Sequence, residues 1–243
     1  MTSISSRRPV FLDAAVLAAP TTRSLILFGQ LHAEASFVAK WSLAVEQEAD
    51  AALVARAQRR TETLGRTVPP VLVSALRSVS DWGGDVIVPP APDLAASLTD
   101  TRAGDRHVLA AASACGAGFV ITQDVDDFGP ADLARLGMSA ANPDLFLAHW
   151  MTAGMYQFAL ERIAARRTLE PRTPDAIHAS LGKVHPRLAA VMGTVYPQIT
   201  ILPATHKPPA ESFRGTRCLT CWQPTSQPLA NGICSACHRE GDQ

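Results

Sequence analysis

The sequence predicts an α/β fold with a central, mainly parallel β-sheet flanked by helices, followed by a short helical segment and a small metal-binding module. Short apolar runs alternate with helical segments along residues 8–150, as expected for parallel strands joined by crossover helices. Residues 118–122, GFVIT, have apolar side chains on both sides of the predicted strand, as in a strand that is buried on both faces. Beyond residue 151 the pattern is helical, and four cysteines near the C-terminus predict the module.

The composition is that of a globular protein with a hydrophobic core. The chain has 243 residues, of which 47% are hydrophobic and 18% are charged, enough for one domain and an appendage. The 22 basic and 22 acidic residues give a net charge of zero, so any attraction for nucleic acid must come from local patches. Charged residues interrupt the longest apolar runs before they reach the roughly 18 residues that a membrane span requires.

The first strand is predicted at residues 9–12 and ends at Asp13. This stretch is apolar and follows two arginines, so its composition resembles that of an export signal. Asp13 interrupts the apolar stretch, however, and an amphipathic segment follows. We therefore interpret residues 9–12 as a buried strand and expect a cytoplasmic protein.

Capping residues and turns predict where the later elements begin. Ser42 is a suitable N-cap for a helix over residues 43–62, Asp105 begins a central helix, and Asn142 precedes a helix that starts at Pro143. The other predictions are a helix capped by Thr21 or Thr22, a strand at 35–40, a helix at 69–80, a strand at 85–88, a loop at 93–104, a strand at 118–122, a helix at 132–136, and helices within 151–195, one of them starting at Thr173.

These patterns divide the chain into four parts. Residues 8–150 form the α/β domain and residues 151–202 a helical extension. Residues 203–216 are rich in proline and polar residues and predict a linker, and residues 217–240 form the metal-binding module.

Four acidic residues occupy positions that this fold would bring together. Asp13 and Asp124 follow strands, Asp105 begins a helix, and Glu48 lies in the helix that Ser42 caps. Ligands of parallel α/β sheets bind at the carboxyl ends of the strands and at the starts of the following helices, so these carboxylates are expected to converge. Each acid taken alone is more typical of a turn, a cap or a solvated helix surface.

Converging carboxylates would repel one another and raise each other's pKa values, and a bound divalent cation removes that conflict. An all-oxygen site favours Mg²⁺ or Mn²⁺, and such a cation can activate water for the hydrolysis of a phosphodiester. Asp127 is near enough in sequence to contribute. Glu46 and Glu48 point to different faces of their helix, so one glutamate is expected to face the cleft, and the distance from Ser42 favours Glu48.

Four segments of the predicted α/β domain resemble the PIN domain of the VapC-type toxin ribonucleases. They are VFLDAAVL, WSLAVEQE, DRHVLAAASACGAGFVITQDVDDFG and NPDLFL. The resemblance implies a three-layer PIN-like fold and a Mg²⁺- or Mn²⁺-dependent endoribonuclease, with Asp13, Glu48, Asp105 and Asp124 as catalytic metal ligands. Thr122 matches the hydroxyl residue that orients water at the metal in that family. The chain departs from the family in the long segment between Glu48 and Asp105 and in the loop TDTRAGD.

The resemblance also implies RNA as the substrate, an antitoxin protein as a partner and a homodimer, without membrane association. A non-catalytic RNA- or protein-binding adaptor, a nuclease of RNA maturation and a nuclease that acts on DNA are the alternatives. Most arginine clusters in the chain are typical of solvated helix faces. Arg23, which begins a helix near Asp13, is the arginine that we expect to contact the substrate.

Cys218, Cys221, Cys234 and Cys237 form two Cys-x-x-Cys pairs, which are typical of a zinc site. Four thiolates complete a tetrahedron, so the Zn²⁺ is expected to be structural and to supply most of the folding energy of this short segment. Two disulfides or a redox pair are the alternatives, poorly suited to a cytosolic chain. The zinc ribbon could bind RNA or a protein or only add stability, and Trp222 could stack on a base or pack over the zinc.

Overall fold

Six strands form one sheet at the centre of the molecule. The computed structural model describes residues 7–65, 87–167, 170–204, 211–226, 229 and 231–241. The strands are β1 (Arg8–Leu12), β2 (Phe37–Ser42), β3 (Ile87–Val88), β4 (Phe119–Ile121), β5 (Ser139–Ala141) and β6 (Phe213–Gly215). Their order is β3-β2-β1-β4-β5-β6, with the first five parallel and β6 antiparallel to β5. The predicted α/β class with a mainly parallel sheet is confirmed.

Helices connect the strands and extend the domain. They are α1 (Ala14–Leu17), α2 (Pro20–Gly29), α3 (Leu43–Leu64), α4 (Pro92–Ser97), α5 (Arg106–Ala114), α6 (Pro130–Leu136), α7 (Pro143–Trp150), α8 (Ala153–Arg166), α9 (Pro174–Leu181), α10 (Pro186–Val191) and α11 (Ser235–Gly241). Turns of 3-10 helix span Ala103–Asp105, Val125–Asp127 and Met192–Thr194. Within the described ranges, no helix combines the length and the apolar character that crossing a membrane requires.

The two central strands determine where the predicted acids lie. β1 and β4 pair in parallel, with Val10 opposite Phe119 and Leu12 opposite Ile121, and all four side chains are fully buried. Parallel strands end at the same edge of a sheet. The residues that follow β1 and β4 are therefore neighbours, although the chain between them is long.

Side-chain caps confirm three of the predicted helix starts. Ser42, Asn142 and Thr173 each accept a hydrogen bond from a backbone N–H in the first turn of α3, α7 and α9. Asp105 directly precedes α5, as predicted, but its side chain makes no capping bond. The start of α2 differs from the prediction, because Pro20 occupies the first turn, where proline is favoured, and the threonines after it do not cap the helix.

Other predicted elements differ from the structure. The predicted loop at 93–104 is confirmed only for residues 98–102. Residues 93–97 belong to α4, which begins at Pro92 and has Asp93 in its first turn, and both are helix-start signals. β2 begins and ends two residues later than the predicted strand at 35–40. The predicted helix at 69–80, residues 85–86 of the predicted third strand and residues 205–210 of the predicted linker lie outside the described residues.

The prediction that residues 203–216 are a linker is wrong at its C-terminal end, because β6 is an edge strand of the sheet. Phe213 lies opposite Ala141 of β5. A strand of three residues is too short to show a periodic apolar pattern, and here it forms because β5 offers an unpaired edge. Gly215 has a φ of +128°, and a Cβ at this position would lie 2.5 Å from the carbonyl oxygen of Met138, so glycine is required.

The helical extension packs against the α/β domain. α8 lies against α2, and α10 lies against α7. His185, which is 1% exposed, places Nε2 2.9 Å from the hydroxyl of Thr22 in α2. Asp144 in α7 accepts a hydrogen bond from the N–H of Leu188 across 3.0 Å, at the start of α10. Buried polar contacts of this kind fix the orientation of the extension on the domain.

Candidate functional site

Asp13 lies at the base of an acidic site, directly after β1. Its backbone N–H donates to the carbonyl of Ile121 across 3.1 Å, which continues the pairing of β1 with β4. Its carboxylate accepts a hydrogen bond from the N–H of Ala14 across 2.6 Å and thereby caps α1. The residue is 8% exposed. The sheet and the helix therefore hold this carboxylate in one position.

Thr122 joins Asp13 to Asp124. The fully buried hydroxyl of Thr122 donates to Oδ2 of Asp13 across 2.8 Å and accepts a hydrogen bond from the backbone N–H of Asp124 across 3.0 Å. Its only hydrogen is thus used by a carboxylate. The structure therefore shows that Thr122 positions two acids, and its role in orienting water stays a prediction from the family resemblance.

Asp105 and Asp124 lie beside two 3-10 turns that are bonded to each other. Asp105 ends the turn Ala103–Asp105, and Asp124 directly precedes the turn Val125–Asp127. The backbone N–H of Arg102 donates to the carbonyl of Asp127 across 3.0 Å. This bond fixes the first turn against the second, and the charges of both acids interact with that of Asp13.

Glu48 reaches the site from α3. Its Oε1 lies 3.3 Å from Nε2 of His107 in α5, an ion-pair distance when the imidazole is protonated. Its charge acts on Asp13. Glu46, the alternative glutamate, instead accepts a hydrogen bond from the indole N–H of Trp41 across 3.1 Å. Of these two glutamates, the structure places Glu48 near the other acids.

Burial and mutual repulsion raise the pKa values of three of these acids. Burial is the largest cause for Asp13, and the charges of Asp124 and Glu48 raise its pKa further. Partial burial, followed by repulsion from Asp127 and Asp13, raises the pKa of Asp105. Partial burial and then repulsion from Asp127 raise the pKa of Asp124. The acids therefore form one electrostatic unit that nearby positive charge would stabilise.

The donors of this unit are of the chemical type that a hard cation prefers. All of them are carboxylate oxygens, which Mg²⁺ and Mn²⁺ prefer. Within the described part of the chain, only the four cysteines place three or more potential ligand atoms within 4.8 Å of one another, so the acidic oxygens are spaced more widely. Mg²⁺ is usually bound through one or two carboxylates with several waters retained, which such spacing allows.

Arg23 does not present its charge to the acidic site. The residue is 8% exposed, and its guanidinium donates to the carbonyl of Leu17 at the end of α1. Arg56 of α3 reaches the neighbouring carbonyl of Ala18 across 3.2 Å. Burial lowers the pKa of Arg23, although Asp50 opposes that change. The structure therefore places Arg23 in an internal contact, in which arginine side chains satisfy carbonyl groups at the end of a helix, and the predicted contact with a substrate has no support from its position.

Two arginines that were not predicted from the sequence contact the acidic turns. Nη1 of Arg102 lies 3.2 Å from each carboxylate oxygen of Asp127. Arg214 of β6 donates to the carbonyl of Phe128 across 3.2 Å and to Oδ1 of Asp126 across 3.2 Å. A lone arginine in the acidic loop TDTRAGD is a local signal for the first. The second has none, because its contacts depend on the position of β6.

The four C-terminal cysteines form a compact cluster of thiols. Sγ of Cys221 and Sγ of Cys234 lie 3.9 Å apart, and the backbone N–H of Cys234 donates to Sγ of Cys218 across 3.3 Å. A tetrahedron of sulfurs about 2.3 Å from a zinc ion has S–S distances of about 3.8 Å. The cluster can therefore bind a metal ion such as zinc, and no cysteine of the chain is in a disulfide.

The cysteine module is docked on the sheet. The indole of Trp222 packs against the ring of Phe119 in β4 with centroids 4.4 Å apart and against Trp150 at 5.0 Å. Nε of Arg217 donates to the carbonyl of Gly137 across 2.7 Å. Trp222 is 9% exposed, so of the two roles considered for it, packing is the one that the structure supports, and it packs on the domain.

No family model, no curated protein and no solved structure matches this chain. The assignment to the PIN family therefore rests on the sequence motifs and stays a proposal. What the structure establishes is the α/β fold, the acids at one edge of its sheet and the cysteine cluster.

Proposed function

We propose that the chain is a metal-dependent endoribonuclease of the PIN-domain kind, which hydrolyses RNA phosphodiester bonds in the cytoplasm. The observation that carries the proposal is the electrostatic unit of Asp13, Glu48, Asp105 and Asp124 at the carboxyl ends of β1 and β4, where parallel sheets bind their ligands. The choice of RNA, the role as toxin of a toxin–antitoxin pair, the antitoxin partner and the homodimer rest on the motif resemblance.

In this proposal the four acids hold the cation. A bound Mg²⁺ or Mn²⁺ supplies the positive charge that activates a water molecule and stabilises the charge that develops on the phosphodiester. Asp13 is the innermost ligand, because it is buried and held by its bonds to Ala14 and Thr122. Burial makes the charged form of this carboxylate less favourable and so raises its pKa. A cation at the site would stabilise the charged form and offset this effect.

The cysteine cluster holds a structural Zn²⁺ in this proposal. Four thiolates leave no coordination position for a substrate, so the ion has no part in the cleavage. Trp222 and Arg217 connect the cluster to β4 and to the carbonyl of Gly137. The zinc ribbon then stabilises the end of the chain, including β6, which lies directly before it in sequence.

Cleavage of labelled RNA and of single-stranded DNA of the same sequence, with Mn²⁺, with Mg²⁺ or with no added divalent cation, tests the function. We expect cation-dependent cleavage of RNA, and we expect Asp13→Asn and Asp124→Asn to lower its rate about a hundredfold or more. Asp93→Asn is the matched control. Asp93 is an exposed aspartate in the first turn of α4, so this substitution removes the same charge outside the site.

Each alternative function gives its own outcome in this assay. Cleavage of DNA but not RNA would identify a DNA nuclease. RNA binding without cleavage under any of the three conditions would favour the adaptor. Equal cleavage by the wild type and Asp13→Asn would overturn the acidic site as the catalytic centre.

A further inference from the structure

Arg102 combines a fixed backbone with an exposed charged group at the rim of the acidic site. Its N–H donates to the carbonyl of Asp127 across 3.0 Å, and its carbonyl accepts from the N–H of Asp105 across 2.9 Å. Its side chain is 70% exposed, and Nη1 lies 3.2 Å from both oxygens of the Asp127 carboxylate. The backbone is therefore held between two acidic turns while the guanidinium lies open to solvent.

The contact with Asp127 leaves most of the guanidinium available. Within the part of the chain that the structure describes, Asp127 is the side chain bonded to this group, and the bond uses Nη1 alone. An ion pair as exposed as this one contributes little to the stability of the fold. Replacing its carboxylate with another anion therefore costs little free energy. The planar fork of an arginine fits two oxygens of a phosphate group well.

The acidic site also requires such a contact if its substrate is a polynucleotide. The carboxylates repel backbone phosphates, and the net charge of zero gives the whole molecule no compensating attraction. Arg102 is the positive charge that acts on both Asp105 and Asp124. Arg214, the other arginine at these turns, is instead engaged by Asp126, Glu211 and the carbonyl of Phe128.

We propose that Arg102 binds a backbone phosphate of the RNA beside the acidic site, by exchanging the Asp127 carboxylate for the phosphate. This inference rests on the proposed function, because it takes RNA as the substrate. It replaces Arg23, which is buried, with an exposed arginine as the residue that positions the substrate. A contact with one phosphate, unlike a stabilising contact within the protein, changes the salt dependence of RNA binding.

Fluorescence anisotropy of a fluorescein-labelled single-stranded RNA, measured on ice in Ca²⁺ over a range of KCl concentrations, tests the contact. For Arg102→Gln we expect binding about tenfold weaker and a slope of log Kd against log salt smaller by about 0.7, the value for one phosphate of a single strand. Arg102→Lys keeps the charge and should keep the slope. Arg135→Gln is the control, because Arg135 is also an exposed arginine paired with an aspartate, Asp132, at 3.6 Å.

A double-mutant cycle tests the exchange itself. Asp127→Asn frees the guanidinium, so it should tighten RNA binding measured without divalent cations. In a protein that already carries Arg102→Gln, the same substitution should tighten RNA binding less. Equal slopes for Arg102→Gln and Arg135→Gln, or no RNA binding by the wild type, would overturn the inference. RNA binding with the expected slopes but no cleavage in Mn²⁺ or Mg²⁺ would count against the proposed nuclease alone.

Discussion

The hydroxyl of Thr122 donates to Oδ2 of Asp13 across 2.8 Å and so ties the end of β4 to the end of β1. The same oxygen accepts from the backbone N–H of Asp124 across 3.0 Å. One buried side chain therefore holds two acids that are remote in sequence, through one buried and one partly buried hydrogen bond. The arrangement of the acidic site therefore depends on Thr122, although this residue is buried beneath the acids.

Thr122→Val should destabilise the protein and impair cation binding. It removes the donor to Asp13 and the acceptor for the N–H of Asp124 with little change of shape, which should lower the free energy of unfolding by about 2–3 kcal/mol. The bond from Thr122 lowers the pKa of Asp13, so its loss should raise that pKa further. Stabilisation by Mn²⁺, measured as a shift in Tm, should then require a higher pH.

Thr122→Ser is the control for this prediction, because it keeps the hydroxyl. It should retain the pH dependence of the wild type even if the loss of a methyl group lowers its stability. If Thr122→Val kept the pH dependence of Thr122→Ser, the hydrogen bond to Asp13 would not control the pH at which the site binds Mn²⁺.

Asp13→Asn should stabilise the protein when Mg²⁺ and Mn²⁺ are absent and zinc is retained. The pKa of Asp13 is raised in the folded state, so the protonated form favours folding. Its contribution is fully present below the ordinary aspartate pKa and is lost as the pH rises through the raised value. At neutral pH asparagine avoids this penalty and still caps α1 through its one amide oxygen, but its amide nitrogen cannot accept the hydrogen bond from Thr122. Because that lost bond offsets part of the gain, we expect a net gain of at most about 1 kcal/mol, or about 2–4 °C in Tm.

Measuring Tm against pH separates this effect from ordinary packing changes. The advantage of Asp13→Asn over the wild type should shrink as the pH falls through the raised pKa and again when Mn²⁺ is added at neutral pH. An advantage that is independent of both pH and Mn²⁺ would show that repulsion among the acids is not its cause.

The positions of the acids along the chain could be inferred from the sequence because they depend on a general property of parallel sheets. Asp13 and Asp124 follow strands, and neighbouring parallel strands end at one edge. The caps at Ser42 and Asn142 were predictable for a similar reason, since a capping bond joins residues a few positions apart. The start of α4 at Pro92 carries comparable signals and could have been predicted from them.

Most of the contacts that the sequence did not reveal join segments that are distant along the chain. β6 exists because β5 has an open edge, and the bonds of Arg214 to the turn before α6 depend on that pairing. The burial of Arg23 depends on where α1 ends relative to α2. Local periodicity carries no information about such pairings, so an exposed arginine and a buried one look alike in the sequence.

The purified protein should contain about one zinc ion per chain when no chelator is used. Cys237→Ser should lower the zinc content and the Tm, because metal binding supplies much of the folding energy of so short a module. Cys115→Ser is the matched control, since Cys115 is a free cysteine outside the cluster. Elemental analysis that found no zinc in the wild type, or equal zinc in both variants, would refute the zinc site.

Gly118→Ala should loosen the module from the sheet without removing its zinc. A Cβ at residue 118 would lie 2.6 Å from Cδ of Arg217 and 2.6 Å from Nε1 of Trp222, and both side chains are held by other contacts. The overlap should cost about 1–3 kcal/mol in unfolding free energy, measured by urea denaturation. Gly193→Ala, where a Cβ meets no atom within 4 Å, should cost much less. Equal costs for the two variants would contradict the docked arrangement.

Arg214→Lys should impair the acidic site from a distance. Arg214 reaches the backbone carbonyl groups of Asp126 and Phe128 across 3.1 and 3.2 Å, and so holds the turn that follows Asp124. A lysine cannot reproduce this fork of bonds, so the turn should lose its fixed position. Mn²⁺-dependent cleavage should fall about tenfold, the equivalent of about 1.4 kcal/mol, while the zinc content stays unchanged.

The control for this variant is Arg239→Lys, the same change at an exposed arginine of α11. If Arg214→Lys cleaved RNA as fast as Arg239→Lys, β6 would serve only to close the edge of the sheet. A slower rate with a normal zinc content would instead mean that the position of β6, the strand before the cysteine module, affects the position of the acids. Because Arg214 contacts the turn directly, the defect should appear in the Mn²⁺ concentration needed for half-maximal cleavage as well as in the rate.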